Sequence, residues 1–349
     1  MKNIEKYGWD TSILKENIEG IPARVTAVHR DRYELICDYG KIYGRLKTSI
    51  YYGQFEEFPT VGDFVSIQYV ENGDSVILKT LPRKSFFSRR DPNPGRGEQA
   101  VAANFDYCFV MSSLNKDFNL NRIERYLTIA WQSNAVPVVI LTKADLIENL
   151  SEKICEVQDA AMGVDVYAIS TVSGYGLEEL EKYLTSGKTV VFLGSSGVGK
   201  SSLLNVLFGE TIMDTNSIRE DDSRGKHTTT HRQLFMLSSG AMVIDTPGMR
   251  ELGMWDISTG LSETFSDIEE ILKLGCKFTD CNHQTEPGCS IKEAINSGVL
   301  SMDRWERYLS LKHEAKFTDD KASFLQEKQQ RDKGIAKFSR RLYKNRGKK

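Results

Sequence analysis

Short runs in which apolar and polar residues alternate dominate residues 21 to 82. Ala23-Arg24-Val25-Thr26-Ala27-Val28, Tyr33-Glu34-Leu35-Ile36-Cys37, Phe64-Val65-Ser66-Ile67-Gln68-Tyr69-Val70 and Ser75-Val76-Ile77-Leu78 each predict a strand with one buried face. Tyr39-Gly40 and Asn72-Gly73 supply turns, the second a strong hairpin signal. Strands this dense predict a small barrel of OB type over residues 1–83. Beyond a Pro/Gly/Arg-rich linker, Arg89 to Gly97, the pattern changes. Strand runs at 106–112, 136–142, 165–170 and 188–194 alternate with helical patterns near 120–134, 151–162, 176–184 and 200–208. That alternation predicts a mainly parallel, doubly wound sheet. Runs 232–238 and 241–246 predict an antiparallel hairpin turned at Ser239-Gly240, which completes a domain over 84–256. Residues 257–349 read as mostly helical, with a long helical pattern from Ser290 to Lys316.

Composition changes this picture little. With 349 residues, 40% hydrophobic and 27% charged, the chain has room for two or three domains of ordinary globular make-up. No apolar run approaches membrane-spanning length, and no hydrophobic block follows Met1-Lys2-Asn3-Ile4-Glu5-Lys6. A cytoplasmic protein without membrane contact is expected, and nothing demands more than a monomer. The net charge of −2 hides a basic tail, with Lys337, Arg340, Arg341, Lys344, Arg346, Lys348 and Lys349 and no acid among them. Such a tail is either an arm for nucleic acid or a solvated terminus.

The chemistry concentrates in three motifs. Gly194-Ser195-Ser196-Gly197-Val198-Gly199-Lys200-Ser201 lies between the buried run Val190-Val191-Phe192-Leu193 and the helical run from Ser201 and Ser202 onward. This is the strand–loop–helix setting of a P-loop. Its backbone N–H groups would wrap a β-phosphate, Lys200 would bridge the β- and γ-phosphates, and Ser201 would ligate Mg²⁺. Asp245 ends the run Met242-Val243-Ile244 and opens Asp245-Thr246-Pro247-Gly248. There it would reach the Mg²⁺ shell, with the Gly248 N–H on the γ-phosphate. Between them, Gly225-Lys226-His227-Thr228-Thr229-Thr230-His231 suits a switch loop. Thr229 is the first choice for Mg²⁺, although the run of three leaves the register open.

Thr142-Lys143-Ala144-Asp145 follows the apolar run Val138-Val139-Ile140-Leu141 and reads as a guanine motif. The Asp145 carboxylate can accept from guanine N1–H and the exocyclic amine, a pairing adenine cannot supply. The Lys143 stem can lie along the base. Thr142 stands where an asparagine usually ties this loop to the P-loop, so a looser tie is expected. Ser170-Thr171 fits the last base-contacting loop. This motif precedes the P-loop, the reverse of the usual GTPase order, and defines a circular permutation. The γ-phosphate switch then leads straight into the C-terminal domain, whose movement it is expected to drive.

Met249 occupies the position where many GTPases place a water-orienting glutamine, so intrinsic hydrolysis is expected to be slow. His227 can hold water and exchange protons near neutral pH, and is the candidate for that role. The alternative is that it packs or touches RNA.

Cys276-x₄-Cys281-x-His283-x₅-Cys289 offers three thiolates and an imidazole, the set of a closed structural zinc site. The spacing differs from familiar fingers, so spacing alone leaves buried, metal-free cysteines open. Cys37, Cys108 and Cys155 are scattered in apolar surroundings.

Taken in order, the base motif, P-loop, Gly225–Arg232, Asp245–Leu252 and cysteine cluster resemble the RsgA (YjeQ/YloQ) family. Gln99-Ala100-Val101-Ala102-Ala103-Asn104-Phe105-Asp106 adds to the likeness. The resemblance covers nearly the whole chain. It implies a GTPase stimulated by the small ribosomal subunit, contacting its rRNA during late maturation, with one structural Zn²⁺ and with Mg²⁺ accompanying GTP. The expected fold is multidomain, α+β and α/β: an OB-type barrel, a circularly permuted P-loop GTPase domain and a helical zinc-binding domain. An RNA-binding module with incidental turnover and a P-loop kinase remain as other classes. The guanine motif and the lack of a recognisable lid count against the kinase.

Overall fold

The computed structural model describes residues 3–10, 18–51, 57–90, 98–209, 232–245, 258–284 and 286–316. His227, Thr229, Gly248, the junction 246–257 and the basic tail lie outside the described residues. The chain divides into two compact units, one drawn from Met1–Ser88 and Ala100–Glu251, the other from Arg89–Gln99 and Leu252–Lys349.

The barrel is built from β1 (Ile21–Val28), β2 (Tyr33–Cys37), β3 (Gly40–Leu46), β4 (Phe64–Gln68) and β5 (Ser75–Thr80), with a single helical turn α1 (Thr48–Tyr51) before β4. Pairing of β1 with β4, Ile21 opposite Ile67 and Arg24 opposite Phe64, closes it. Ala23, Val25, Leu35, Cys37, Val65, Ile67 and Ile77 fill the interior. The strand β3 replaces what reads in sequence as a turn and its continuation. Gly44 breaks the β-propensity there, yet a Cβ at that position would sit 2.7 Å from Leu35 Cδ1. The glycine is the condition for β3 to lie close over the core.

Two further strands, β6 (Phe86–Arg90) and β7 (Glu98–Ala103), pair on either side of the linker segment. The doubly wound sheet follows: β8 (Tyr107–Ser113), β9 (Val136–Thr142), β10 (Asp165–Ile169), β11 (Thr189–Gly194), β12 (Gln233–Met236) and β13 (Met242–Asp245). Its order is β10-β9-β8-β11-β13-β12, parallel except for β12 against β13. Helices α2 (Leu120–Gln132), α3 (Leu150–Ala160) and α4 (Lys200–Phe208) fall close to their sequence positions. Asn119 caps α2 by accepting from the Arg122 N–H at 3.0 Å. Residues 178–183 form a 3₁₀ helix instead of the predicted α-helix.

The second unit carries α5 (Ser258–Thr264), α6 (Ser266–Leu274), α7 (Ser290–Asn296) and a helix over 302–316. The continuous helical pattern from Ser290 to Lys316 is thus interrupted, at Gly298 with φ +77°. Arg304 is buried, forks onto Asp267 at 3.0 and 3.2 Å, and stacks over Phe265.

Within the first unit, barrel and sheet are one body. Strand β1 pairs with β12, Ala27 opposite Gln233, so eleven strands run continuously. Beside that seam lies Arg24, 1% exposed, on the outer face of the barrel. Nε donates to Gly62 O at 3.2 Å, Nη1 to Tyr7 O at 2.5 Å and to Met242 Sδ at 3.2 Å. Nη2 donates to Asn104 O at 2.8 Å and Thr189 Oγ1 at 3.0 Å. A guanidinium has five N–H donors, and all five are used. Burial lowers its pKa to about 10, with Asp106 and Asp63 drawing it back up, so it stays charged at neutral pH.

Asp106 completes the seam. Its carboxylate meets Lys84 Nζ at 2.8 Å, Lys188 Nζ at 3.3 Å and the Thr189 N–H at 2.9 Å. Burial opposes its ionisation, but these donors outweigh burial and hold it below the usual carboxylate range. Close approach matters too: a Cβ on Gly62 would lie 2.0 Å from Ala103 O.

Arg24→Met keeps most of the volume and removes every donor. It is expected to cost roughly 2–4 kcal/mol, because buried carbonyls lose their partners. The check is a lowered urea midpoint at unchanged slope; a shift below about 0.5 kcal/mol would mean the acceptors are satisfied without it.

Candidate nucleotide site and metal centre

Parallel strands share one direction, so the loops after β8, β9, β10, β11 and β13 emerge along one edge. The order reverses between β8 and β11, and a ligand crevice is expected at such a switch point. The sequence motifs gather there: Thr142–Asp145 after β9, Ser170 after β10, Gly194–Ser202 after β11 and Asp245 at the end of β13.

The P-loop turns at two left-handed residues, Gly197 with φ +73° and Gly199 with φ +101°, where any side chain would be strained. Between them Val198 is 1% exposed and anchors the loop in the core under the sheet. Lys200 opens α4, and its Nζ donates to Gly194 O at 2.7 Å and Ser195 O at 2.6 Å. The ammonium is therefore threaded inside the loop. Ser196 and Ser201 are exposed, while Ser195 and Ser202 are half-buried. Burial raises the pKa of Asp245, and the Lys200 charge offsets part of that rise.

Thr142 is buried, and its hydroxyl donates to Val198 O at 2.6 Å, with Ser112 O farther off at 3.5 Å. Lys143, left-handed at φ +61°, donates from Nζ to Gly197 O at 3.0 Å. Base loop and P-loop are thus held by two direct bonds, and the threonine makes the tie expected to be loose. Ala144 is buried and begins a short 3₁₀ turn that leaves Asp145 exposed. Ser170 is fully buried. Its Oγ accepts from the Val172 and Ser173 N–H groups at 3.2 Å each, which folds the loop after β10.

The second cluster lies in the other unit. Ligand atoms of Cys276, Cys281, His283 and Cys289 all fall within 4.8 Å of one another. His283 Nδ1 is 3.5 Å from Cys276 Sγ, 3.7 Å from Cys281 Sγ and 3.4 Å from Cys289 Sγ. Cys276 Sγ and Cys289 Sγ are 3.9 Å apart, far beyond a disulfide bond. Zinc bonds of about 2.3 Å to sulfur and 2.0–2.1 Å to nitrogen give tetrahedral edges of roughly 3.8 Å and 3.5 Å. The three edges to His283 Nδ1 and the Cys276–Cys289 edge therefore match a tetrahedral S₃N site, and all four ligand atoms fall close enough to hold a metal ion.

Two neighbours absent from the sequence motif complete the surroundings. Ser290 Oγ lies 3.3 Å from Cys276 Sγ, and the Trp305 ring meets the His283 ring edge-on at 5.7 Å. The Ser290 hydroxyl is the chief cause of a lowered Cys276 pKa, whereas desolvation pushes Cys281 up to about 11. Only spatial proximity links Trp305 to the site.

The sequence model of the RsgA GTPase family matches residues 80–255, half of the chain. The small ribosomal subunit biogenesis GTPase RsgA 1 of Listeria monocytogenes is 46% identical over 351 residues, covering 99% of both chains. The chain belongs to the RsgA GTPase family. A second such relative, RsgA 2 of Lactiplantibacillus plantarum, is 43% identical over 90% of each chain.

Solved structures agree with that RsgA assignment. YjeQ from Thermotoga maritima superposes with a TM-score of 0.62 at 26% identity, covering 84% of this chain and 98% of that one. YloQ, described as a circularly permuted GTPase, gives 0.61 at 25% identity, covering 87% and 98%. An ABC transporter model also matches residues 177–336, a span that includes the P-loop. As in that YloQ structure the GTPase motifs are permuted, and in this chain the Cys₃His cluster can hold a metal ion.

Thr142→Val is nearly isosteric and leaves Val198 O without its donor. GDP affinity is expected to fall about tenfold, while Thr142→Ser stays near wild type; fluorescent-GDP titration measures both. Cys289→Ser, or prolonged chelation, is expected to lower the melting temperature of the second unit by several degrees. Loss of helical signal follows that transition, and restoring metal to chelated wild type reverses it.

Proposed function

We propose that this RsgA family member hydrolyses GTP as a late-stage maturation factor of the small ribosomal subunit, binding rRNA and leaving on hydrolysis. The supporting observation is that the strand ends carrying Asp145, Lys200 and Asp245 lie along one edge of the parallel sheet in reversed motif order, in a chain whose full-length relatives carry the ribosomal name.

Each residue has a part. Asp145 selects guanine by accepting from its N–H groups, and Lys143 and Ser170 shape the walls of that pocket. The amides of Gly194–Ser202 embrace the phosphates. Lys200 leaves its loop carbonyls for the β- and γ-phosphate oxygens, exchanging neutral acceptors for charged ones. Ser201, Thr229 and Asp245 hold Mg²⁺, which when bound neutralises charge growing on the phosphates. Gly248 senses the γ-phosphate, and His227 orients the attacking water when the subunit orders its loop. Cys276, Cys281, His283 and Cys289 hold a structural Zn²⁺ with no ligand position left for chemistry. The protein acts as a cytoplasmic monomer, with residues 1–83, 84–256 and 257–349 as its barrel, GTPase and zinc domains.

GTP turnover measured with and without purified small subunits tests this. Stimulation above roughly tenfold is expected. A flat rate accompanied by GTP-dependent subunit binding would instead indicate a nucleotide-tuned RNA-binding module. His227→Ala should retain GTP affinity and lose most of the stimulation; wild-type stimulated turnover in that variant would remove His227 from the mechanism.

A further inference from the structure

The four residues of the Cys₃His cluster are held in two different ways. The Lys277 N–H donates to Gly288 O at 2.9 Å, which ties the chain just after Cys276 to the chain just before Cys289. Cys281 and His283 are a harder case, because only Asn282 separates them. In extended chain, residues two apart stand roughly 6.6 Å from one another. Yet Cys281 Sγ and His283 Nδ1 lie 3.7 Å apart. The chain turns at His283, which is left-handed at φ +60°. That region is sparsely populated by residues other than glycine, so the turn persists only if its surroundings hold it.

Glu286 holds it. Oε1 accepts from the Asn282 N–H and Oε2 from the Gln284 N–H, each at 3.0 Å. The His283 N–H between them donates to Cys281 Sγ at 3.4 Å. Three consecutive backbone donors thus line a concavity of the kind that binds anions, filled here by a carboxylate of the same loop and a cysteine sulfur. Bonds from N–H groups to an ionised carboxylate are stronger than those to a neutral acceptor. The two oxygens grip the peptides on both sides of His283, and so fix the direction in which its side chain leaves the backbone. Trp305, edge-on at 5.7 Å, limits the ring itself. Glu286 stands outside the four-residue cluster, with both oxygens engaged by the backbone. A glutamate serving only the fold of this loop would be bonded in the same way; what separates the two roles is whether its grip reaches the metal through His283.

We propose that Glu286 is a positioning residue of the metal site, presetting the left-handed turn so that His283 Nδ1 joins the three sulfurs without rearrangement of the loop. The inference rests on the reading of the cluster as a Zn²⁺ site, and adds to it a residue that does not touch the metal.

Full-length protein stripped of metal and titrated with Co²⁺, followed by displacement with Zn²⁺, tests the assignment. Glu286→Ala is expected to lower the affinity for both ions by roughly 10–100-fold. Glu286→Gln keeps the length but offers one acceptor and turns a donor toward the other N–H. It should lose about tenfold, which keeps the test open if the alanine variant is poorly folded. The deciding measurement is a double-mutant cycle with His283→Ala, which leaves three thiolates for the metal. Glu286 acting through the imidazole predicts that either Glu286 variant costs little further affinity once His283 is gone. If His283→Ala holds no Co²⁺, the softer Cd²⁺ serves as the probe in all variants. An equal loss in both backgrounds would make Glu286 a loop-stabilising residue only, and overturns the proposal. So does wild-type affinity in both Glu286 variants, an outcome that leaves the Zn²⁺ reading standing. Wild-type protein that takes up none of these ions would bring down both.

Discussion

A charged side chain sealed between two domains constrains everything built around it. Arg24 cannot be buried unless each of its N–H groups meets an acceptor, since an unpaired charge in that setting costs several kcal/mol. The acceptors come from the N-terminal turn at Tyr7, the barrel loop at Gly62, the segment at Asn104, the first residue of β11 and the first residue of β13. Those five places must therefore be in register together or not at all. Two of the strands so fixed lead, at their far ends, to the P-loop and to Asp245. The position of the phosphate-binding apparatus is set partly by a residue of the barrel.

At the other end of the sheet, short hydrogen bonds do the equivalent work between loops. A P-loop is a strained, glycine-dependent turn, and it holds shape only if its carbonyls and amides are engaged. Here Val198 O and Gly197 O are taken by the base loop, and Gly194 O and Ser195 O by Lys200. The base loop is left-handed at Lys143, which turns Asp145 outward while Thr142 stays buried. The loop after β9 and the glycine-rich loop after β11 are in this way tied into one assembly on the carboxyl edge of the sheet. The Cys₃His cluster follows a different logic: four side chains from one short segment come within 4.8 Å of one another, and the packing of Trp305 and the hydroxyl of Ser290 brace them.

The parallel core was legible because its strands are buried on both faces, which makes continuous apolar runs such as Val190–Leu193 hard to mistake. The motif residues were legible for a related reason, since P-loop, guanine and cysteine signatures are local strings. What escaped was everything decided by tertiary contact. Strand β3 contains a glycine that looks like a break until Leu35 is seen to need its space. Strands β6 and β7 border a proline- and glycine-rich stretch that reads as pure linker. Gly298 divides a helical pattern that periodicity alone would continue. Arg24 reads as one more polar position in an alternating strand; nothing local marks it as the most heavily bonded side chain at the domain seam. Thr142 shows the same limit at the site, because the reach of a hydroxyl to Val198 depends on loop placement and not on residue type.

The single continuous sheet has a consequence for how this architecture can be taken apart. A barrel attached by a tether could be cut away, leaving the GTPase domain intact. Here removal of residues up to the linker would strip β12 of its outer neighbour and turn it into a bare edge. It would also leave the Asn104 carbonyl and the Thr189 hydroxyl without their guanidinium donor. An excised GTPase domain would consequently be a sticky, edge-exposed fragment. In this chain, barrel and GTPase sheet are accordingly best handled as one piece when the protein is truncated or recombined.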